Sequence, residues 1–314
     1  MIDIHYFDNG AKKGNLKDLD KIRKKHPVWL DITAITKDEA ELMRITFDLH
    51  PVTVEDLYRS RVRTKVEEFD NYMFCIFHGL TIKKKVVFYE YDFILGKNFI
   101  ITNHKKEIPY YQELKKDLGR LSLHFRRGCD FLLSNYIHEV VESYFPVIEK
   151  IDEEIEELEE IAAHNASSDL VSRIFKLKKL IIAIKKTTFS QRDKISNLSK
   201  DEFSLIQDKT TPYFRNVYDH SIRVYDLIDS SRDAIANSYD VYMSSVTNNT
   251  NQVMKVLSVL TTIMLPLSVI TGLYGTNFTF LPGAHSEYGF WAMSAIMLVT
   301  VVVMLIFFRR KGWF

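Results

Sequence analysis

Cysteine is nearly absent from this 314-residue chain, and the two present, Cys75 and Cys129, have neither metal-ligand nor redox spacing. They read as reduced, buried thiols. A Walker loop, a GxGxxG turn and a Ser-His-Asp arrangement are also missing, so no catalytic constellation is legible and an enzyme is not expected. His50–Pro51 and the scattered histidines read as helix-boundary and surface residues rather than ligands. The start, MIDIHYFDNGAKKG, lacks the apolar core and cleavage site of a secretory signal. Excess charge is lacking as well: the net formal charge is +1, which gives no reason to expect a nucleic-acid partner.

Charge vanishes altogether from two stretches. Val256 to Tyr274 reads VLSVLTTIMLPLSVITGLY and Phe290 to Phe308 reads FWAMSAIMLVTVVVMLIFF. Each is 19 residues long, a helix just under the ~30 Å hydrocarbon core of a bilayer. Buried core helices of that length usually keep a polar face, so two membrane spans are expected. Arg309, Arg310 and Lys311 close the second span and Lys255 precedes the first. The positive-inside bias then puts both termini in the cytoplasm of a multi-pass inner-membrane protein. The intervening loop, 275–289, faces outward with Glu287 as its one formal charge.

Residues 1–130 read as a cytoplasmic α/β domain. Runs rich in β-branched and aromatic residues occur at Ile2–Phe7, Val28–Ile32, Tyr72–Thr81, Val86–Leu95 and Phe99–Thr102, with helices expected at Lys37–Phe47 and Ile108–Leu118. Residues 131–211 turn helical. An acidic stretch from Tyr136 to Ala163 precedes a basic one from Leu170 to Lys194, the pattern of an antiparallel hairpin. Its carboxylates either concentrate cations or form a solvated face. From Pro212 no proline recurs until Pro266. Residues 212–274 therefore read as one stalk helix of ~95 Å that includes the first span, 256–274. The loop 275–289, the second span 290–308 and a basic tail 309–314 complete the division.

A lipid-facing helix has no use for polar side chains, yet they recur along one side of this one. Steps of three and four from Asp240 meet Met243, Thr247, Asn251, Met254, Leu257, Thr261, Leu265, Ser268 and Gly272, ending at Gly275–Asn277. This 3.5-residue period faces a common axis in a bundle of parallel helices. The seam either packs helices together or lines a pore; both readings require oligomers. In the pore reading, Thr261 and Ser268 offer hydroxyls to a hydrated ion, while Met254 and Leu257 make rings that gate by dewetting. Asp240 lies outside the bilayer, as a carboxylate ring or as a stalk-surface acid. Mg²⁺ dehydrates reluctantly, so uncharged oxygens from Gly275, Thr276 and Asn277 suit its hydrated form. Glu287 at the outer mouth would concentrate cations.

Those residues carry a resemblance. YGTNF (Tyr274–Phe278), a short loop, a second span and RRKGWF (Arg309–Phe314) resemble the CorA family of divalent metal-ion transporters. So do HPVTVEDLYRSRVRTKVEEFDNYMF (His50–Phe74), LGKNFIITNH (Leu95–His104) and the stretch Tyr213–Leu257. The resemblance implies a funnel-shaped homopentamer with an α/β cytoplasmic domain and two C-terminal transmembrane helices. It implies a filter at Gly275, Thr276 and Asn277 that passes Mg²⁺, with Co²⁺ or Ni²⁺ as further cargo. Pore positions similar to the family's are Asp240, Asn251, Met254, Leu257, Thr261 and Ser268. It also implies gating by regulatory Mg²⁺ bound between cytoplasmic domains. Two departures stand out: the family's Gly-Met-Asn is Gly-Thr-Asn here, and Asn216 stands where many relatives carry an aspartate that helps bind regulatory Mg²⁺. Closure is then either weakened or served by Asp219, Asp226 or Asp229. The alternatives are a zinc transporter of the ZntB type and a non-conducting membrane-anchored scaffold or sensor.

Overall fold

The computed structural model describes residues 1–59, 63–164, 167–200, 203–278, 281–283 and 286–313. The chain divides into two compact units, one of Met1–Glu160 with Asp169–Tyr239, the other of Ile161–Ser168 with Asp240–Phe314.

The first unit is built on strands β1 (Ile2–Phe7), β2 (Ala11–Lys13), β3 (Val28–Thr33), β4 (Lys65–Glu68), β5 (Tyr72–Ile82), β6 (Val86–Gly96) and β7 (Phe99–His104). They form one sheet in the order β2-β1-β3-β7-β6-β5-β4. β3 and β7 pair in parallel, with Leu30 opposite Ile101, and the remaining pairs are antiparallel. Side chains alternate across a strand, so each apolar run feeds two cores. One face gives Leu30, Ile32, Phe74, Ile76, Ile94 and Ile101 to a core with α2 (Lys37–Phe47) and α3 (Pro51–Tyr58), through Met43, Phe47, Val54 and Leu57. The other face turns Trp29 and Phe93 toward Tyr136 of α6 (Cys129–Glu142), at ring separations of 5.7 and 5.5 Å.

The expected strands all form. Between β1 and β3 lies a short α1 (Leu19–Arg23). The helix expected over Ile108–Leu118 forms as α4 (Pro109–Lys116), and a further helix follows it: the Asp117 side chain accepts from the Arg120 amide at 2.9 Å and starts α5 (Leu118–Arg127). Gly128 then turns into α6 at φ 124°, a conformation that favours glycine, and a Cβ there would clash with Asp130 Oδ1. The acidic helix expected from Tyr136 to Ala163 is broken. α6 stops at Glu142 and α7 (Phe145–His164) starts just before Pro146, which lacks an amide hydrogen and is tolerated only in a first turn. At the break, Tyr144 donates its hydroxyl to the His78 carbonyl at 2.7 Å and accepts from Gln191 at 3.0 Å, tying the sheet to α8 (Ser168–Leu198). Not every histidine is a surface or boundary residue: His50 caps α3, but His5 and His104 are buried beside the sheet. Both cysteines are free and buried.

α7 and α8 form the expected hairpin, although the side chains of residues 164–166 and 168 at its turn lie outside the described set. Buried Ile155, Leu158, Ile174, Leu177 and Ile181 supply its apolar seam. The exposed ion pair Arg173–Glu157, at 3.0 Å, adds little. α9 runs unbroken from Thr211 to Tyr274 with Pro266 inside it. In the first unit it buries Phe214, Val217, Ser221, Val224, Ile228, Ser231, Ile235 and Ser238, a 3.5-residue stripe. Its serines are not orphaned: Ser231 donates to Asp152 at 2.6 Å and Ser238 to Glu159 at 3.0 Å, both acids of α7.

Candidate ion-conduction path

The second unit carries the rest of α9 and α10 (Gly289–Arg310), both long and apolar enough to cross a membrane. They are antiparallel. Lys255 donates to the Gly312 carbonyl at 2.9 Å at one end, and the Tyr274 hydroxyl reaches the Pro282 carbonyl at 3.1 Å at the other. The basic residues before the first span and after the second therefore lie at the same end.

Every predicted lining residue, Asp240, Thr247, Asn251, Met254, Leu257, Thr261, Leu265 and Ser268, is exposed on this helix. The threonines have a definite polarity. Thr247 donates its hydroxyl hydrogen to the Met243 carbonyl at 2.8 Å and Thr261 to Leu257 at 2.9 Å. With the hydrogen spent on the helix, the oxygen lone pairs remain to accept. That suits a hydrated cation, whose water shell points hydrogens outward.

At its C-terminal end the helix closes tightly. The Gly275 amide donates to Thr271 at 2.9 Å, and a Cβ on Gly275 would sit 3.0 Å from that carbonyl, tighter than ordinary contact. Thr276 behaves like Thr247 and Thr261, donating Oγ1 to the Leu273 carbonyl at 2.7 Å. Its side chain shares with Ser268, Gly272, Leu273, Phe278 and Leu281 an open depression of about 620 Å³. Asn277 is exposed just past the helix end, and Glu287 is exposed in the turn that opens α10.

The sequence matches the family described as CorA-like Mg²⁺ transporter protein over residues 24–310. The chain belongs to that family. It is 35% identical over 295 residues to the cobalt/magnesium transport protein CorA of Thermotoga maritima, a match covering 91% of this chain and 83% of that protein. The complete CorA magnesium transporter of Methanocaldococcus jannaschii shares its fold with a TM-score of 0.88 at 23% identity, covering 100% of this chain and 99% of that one. The cytoplasmic domain of ZntB from Vibrio parahaemolyticus aligns at a TM-score of 0.62 and 14% identity, covering 79% of this chain and 98% of that one. As a CorA-like chain this is a membrane transporter built from a soluble α/β unit, one long helix and a second apolar helix.

The four residues weighed as regulatory ligands all lie on α9 in the first unit, in different surroundings. Asn216, Asp219 and Asp226 are exposed. Asp229 is ion-paired to Lys185 and lies 2.9 Å from Arg232; the Lys185 hydrogen bond, reinforced by the charge of both cations, holds its carboxyl below the usual range. One cluster escaped the sequence reading. His138 and Glu142 of α6 meet His220 of α9, with ligand atoms within 4.8 Å of one another. Burial lowers the His138 pKa, while the Glu142 charge pulls it upward. The i, i+4 spacing of His138 and Glu142 is visible in the sequence, but His220 stands 78 residues beyond Glu142 and only the fold joins them.

Proposed function

We propose that five copies of this CorA-like chain surround a central pore through which hydrated Mg²⁺ crosses the inner membrane, with Co²⁺ and Ni²⁺ as further cargo. The observation that carries this reading is the exposed α9 seam, whose threonine hydroxyls spend their hydrogens inward and keep acceptors facing out. Around a symmetry axis those oxygens hold a water shell rather than a bare ion, which suits a cation that dehydrates reluctantly. Asn277 and the carbonyls beside it form the outer ring, and Glu287 raises cation concentration at the mouth. Met254 and Leu257 form apolar rings that dewet when subunits draw together. Both chain ends face the cytoplasm, in keeping with Lys255 and Arg309–Lys311.

Gating follows from ligand placement. Mg²⁺ bound between soluble units, at Asp219 and Asp226 with Asn216 as a weaker oxygen donor, favours the closed arrangement; its loss frees subunits to move. Asp229, already neutralised by two cations, is the poorest of the four candidates.

Purified protein in liposomes tests the proposal by Mg²⁺ flux. The triple variant Thr261→Leu, Ser268→Leu, Asn277→Leu should assemble normally and lose transport; flux at the wild-type rate in that variant would take the path away from these residues, and no flux in the wild type would support the non-conducting scaffold. Competition of Zn²⁺ against Mg²⁺ separates the ZntB-type reading, which requires Zn²⁺ to be the preferred cargo.

A further inference from the structure

The cluster on the first unit has the composition of a metal site of a different kind. His138 and Glu142 are one turn apart on α6 and therefore share a face, the spacing by which helices chelate ions. α9 brings His220 against them. Glu142 Oε1 lies 2.6 Å from His220 Nδ1 and 3.8 Å from His138 Nδ1. The two imidazole rings are 4.8 Å apart and tilted by 51°. A hydrogen bond between Glu142 and His220 accounts for the shorter distance and nothing else. It leaves His138 Nδ1 buried with no hydrogen-bond partner, in a ring drawn up against a second imidazole.

A shared ion accounts for all three groups at once. Donors about 2.0–2.2 Å from a tetrahedral ion are spaced roughly 3.3–3.6 Å apart, and 2.6 and 3.8 Å straddle that value. The side chains are 29%, 37% and 34% exposed, in the order His138, Glu142, His220. Small side-chain rotations can therefore close the widest gap, and water can enter as a fourth ligand. Two imidazoles and one carboxylate are the donor set of open zinc sites and suit the borderline ions Co²⁺, Ni²⁺ and Zn²⁺. Mg²⁺ prefers oxygen throughout and gains little from imidazole.

We infer that His138, Glu142 and His220 bind one transition-metal ion per chain, of the Zn²⁺, Co²⁺ or Ni²⁺ class, in the presence of the Mg²⁺ that occupies oxygen-rich sites. The site joins α6 to the soluble part of α9 and does not depend on whether the seam conducts.

Full-length protein in detergent, stripped with chelator and held in millimolar Mg²⁺, is titrated with Co²⁺ and followed by its visible ligand-field absorption. The expected result is a band that saturates at one Co²⁺ per chain and is bleached by Zn²⁺. Loss of an outer-shell partner already weakens metal binding about tenfold to a hundredfold, so His138→Ala and His220→Ala should each weaken it by at least that much. Glu142→Gln keeps the side-chain shape and should weaken it with unchanged circular dichroism, which guards against a folding artefact. A band absent from the wild type, or of equal strength and affinity in the three variants, would overturn the inference. Transport measured in parallel tells the two readings apart: flux without the band removes this site alone, and the band without flux removes the channel alone.

Discussion

Asp31, near the end of β3, sits buried among Thr102, His104 and Lys115, with His104 Nε2 at 3.0 Å and Lys115 Nζ at 2.7 Å. Burial alone would raise its pKa, but the hydrogen bonds and charges of His104 and Lys115 prevail and hold it at about 2 rather than 3.8. A carboxyl depressed in the folded state contributes stability above its unfolded pKa, and that contribution is lost as pH falls from about 4 toward about 2. Asp31→Asn leaves Lys115 short of a buried partner, at a cost on the order of 3 kcal/mol. Asp3 meets the same ammonium at 3.3 Å from the surface, so Asp3→Asn should cost under about 1 kcal/mol. Thermal unfolding of the two variants at pH 7 checks the contrast; equal melting points would mean that the buried carboxylate carries no special share. Thr276 poses a residue-scale question of a different kind. If backbone carbonyls and Asn277 make the ring, its hydroxyl is dispensable, and Thr276→Val should leave Mg²⁺ flux within about threefold. Asn277→Ala, which deletes the amide, should abolish selective flux. A collapse of selectivity in Thr276→Val would move the filter onto the Thr276 side chain. The position of Thr276 and Asn277 just past the long helix was legible because they end a run whose period can be counted along the sequence. The His138 cluster was not, because its third member arrives on another helix.

At the scale of elements, the long helix was the most legible feature. It lacks proline for 53 residues between Pro212 and Pro266, and its buried stripe and its polar seam both keep a 3.5-residue period. The strands β3, β5 and β7 were legible for a different reason: both faces are covered, so their apolar runs are nearly continuous. β2 and β4 left no such trace. They are the short outermost strands, AKK and KVEE, held by backbone pairing and blunted with charge. α5 and the break at Ser143–Tyr144 were missed because helical periodicity resumes within a residue or two, and only the Asp117 cap and Pro146 mark them. The same element-scale reading gives a prediction for gating. Met254 and Leu257, one step apart on the α9 seam, are each more than half exposed, at 54% and 55%, a costly state for large apolar side chains unless other copies or lipid cover them. If they form drying rings, Met254→Ser with Leu257→Ser should hydrate the constriction. Mg²⁺ flux against high internal Mg²⁺ should then rise by about fivefold or more. Unchanged or reduced flux in liposomes would take the gate away from these positions.

The whole molecule raises the question of what covers the second unit. From Asp240 onward, only Val259 and Phe308 are buried among the described residues. Lipid can cover the apolar faces of α10 and the back of α9, but it cannot cover Asn251, Thr261 and Ser268 without cost. Other copies turned toward a shared axis would remove that cost. The chain offers a clean way to test the orientation. Burial pushes the Cys129 thiol up to about 12 and the Cys75 thiol higher still, which leaves both unreactive near neutral pH. A cysteine introduced at Asn251 is then the sole reactive thiol among the described positions. Val253, also exposed, lies two residues on and some 200° around the helix, away from the seam. Mild oxidation in membranes should join Asn251→Cys subunits into disulfide dimers and leave Val253→Cys largely monomeric on a denaturing gel. The native particle should have the mass of five 36.8 kDa chains. Cross-linking at Val253 but not at Asn251 would put the polar edge against lipid and leave the water-filled axis without a wall.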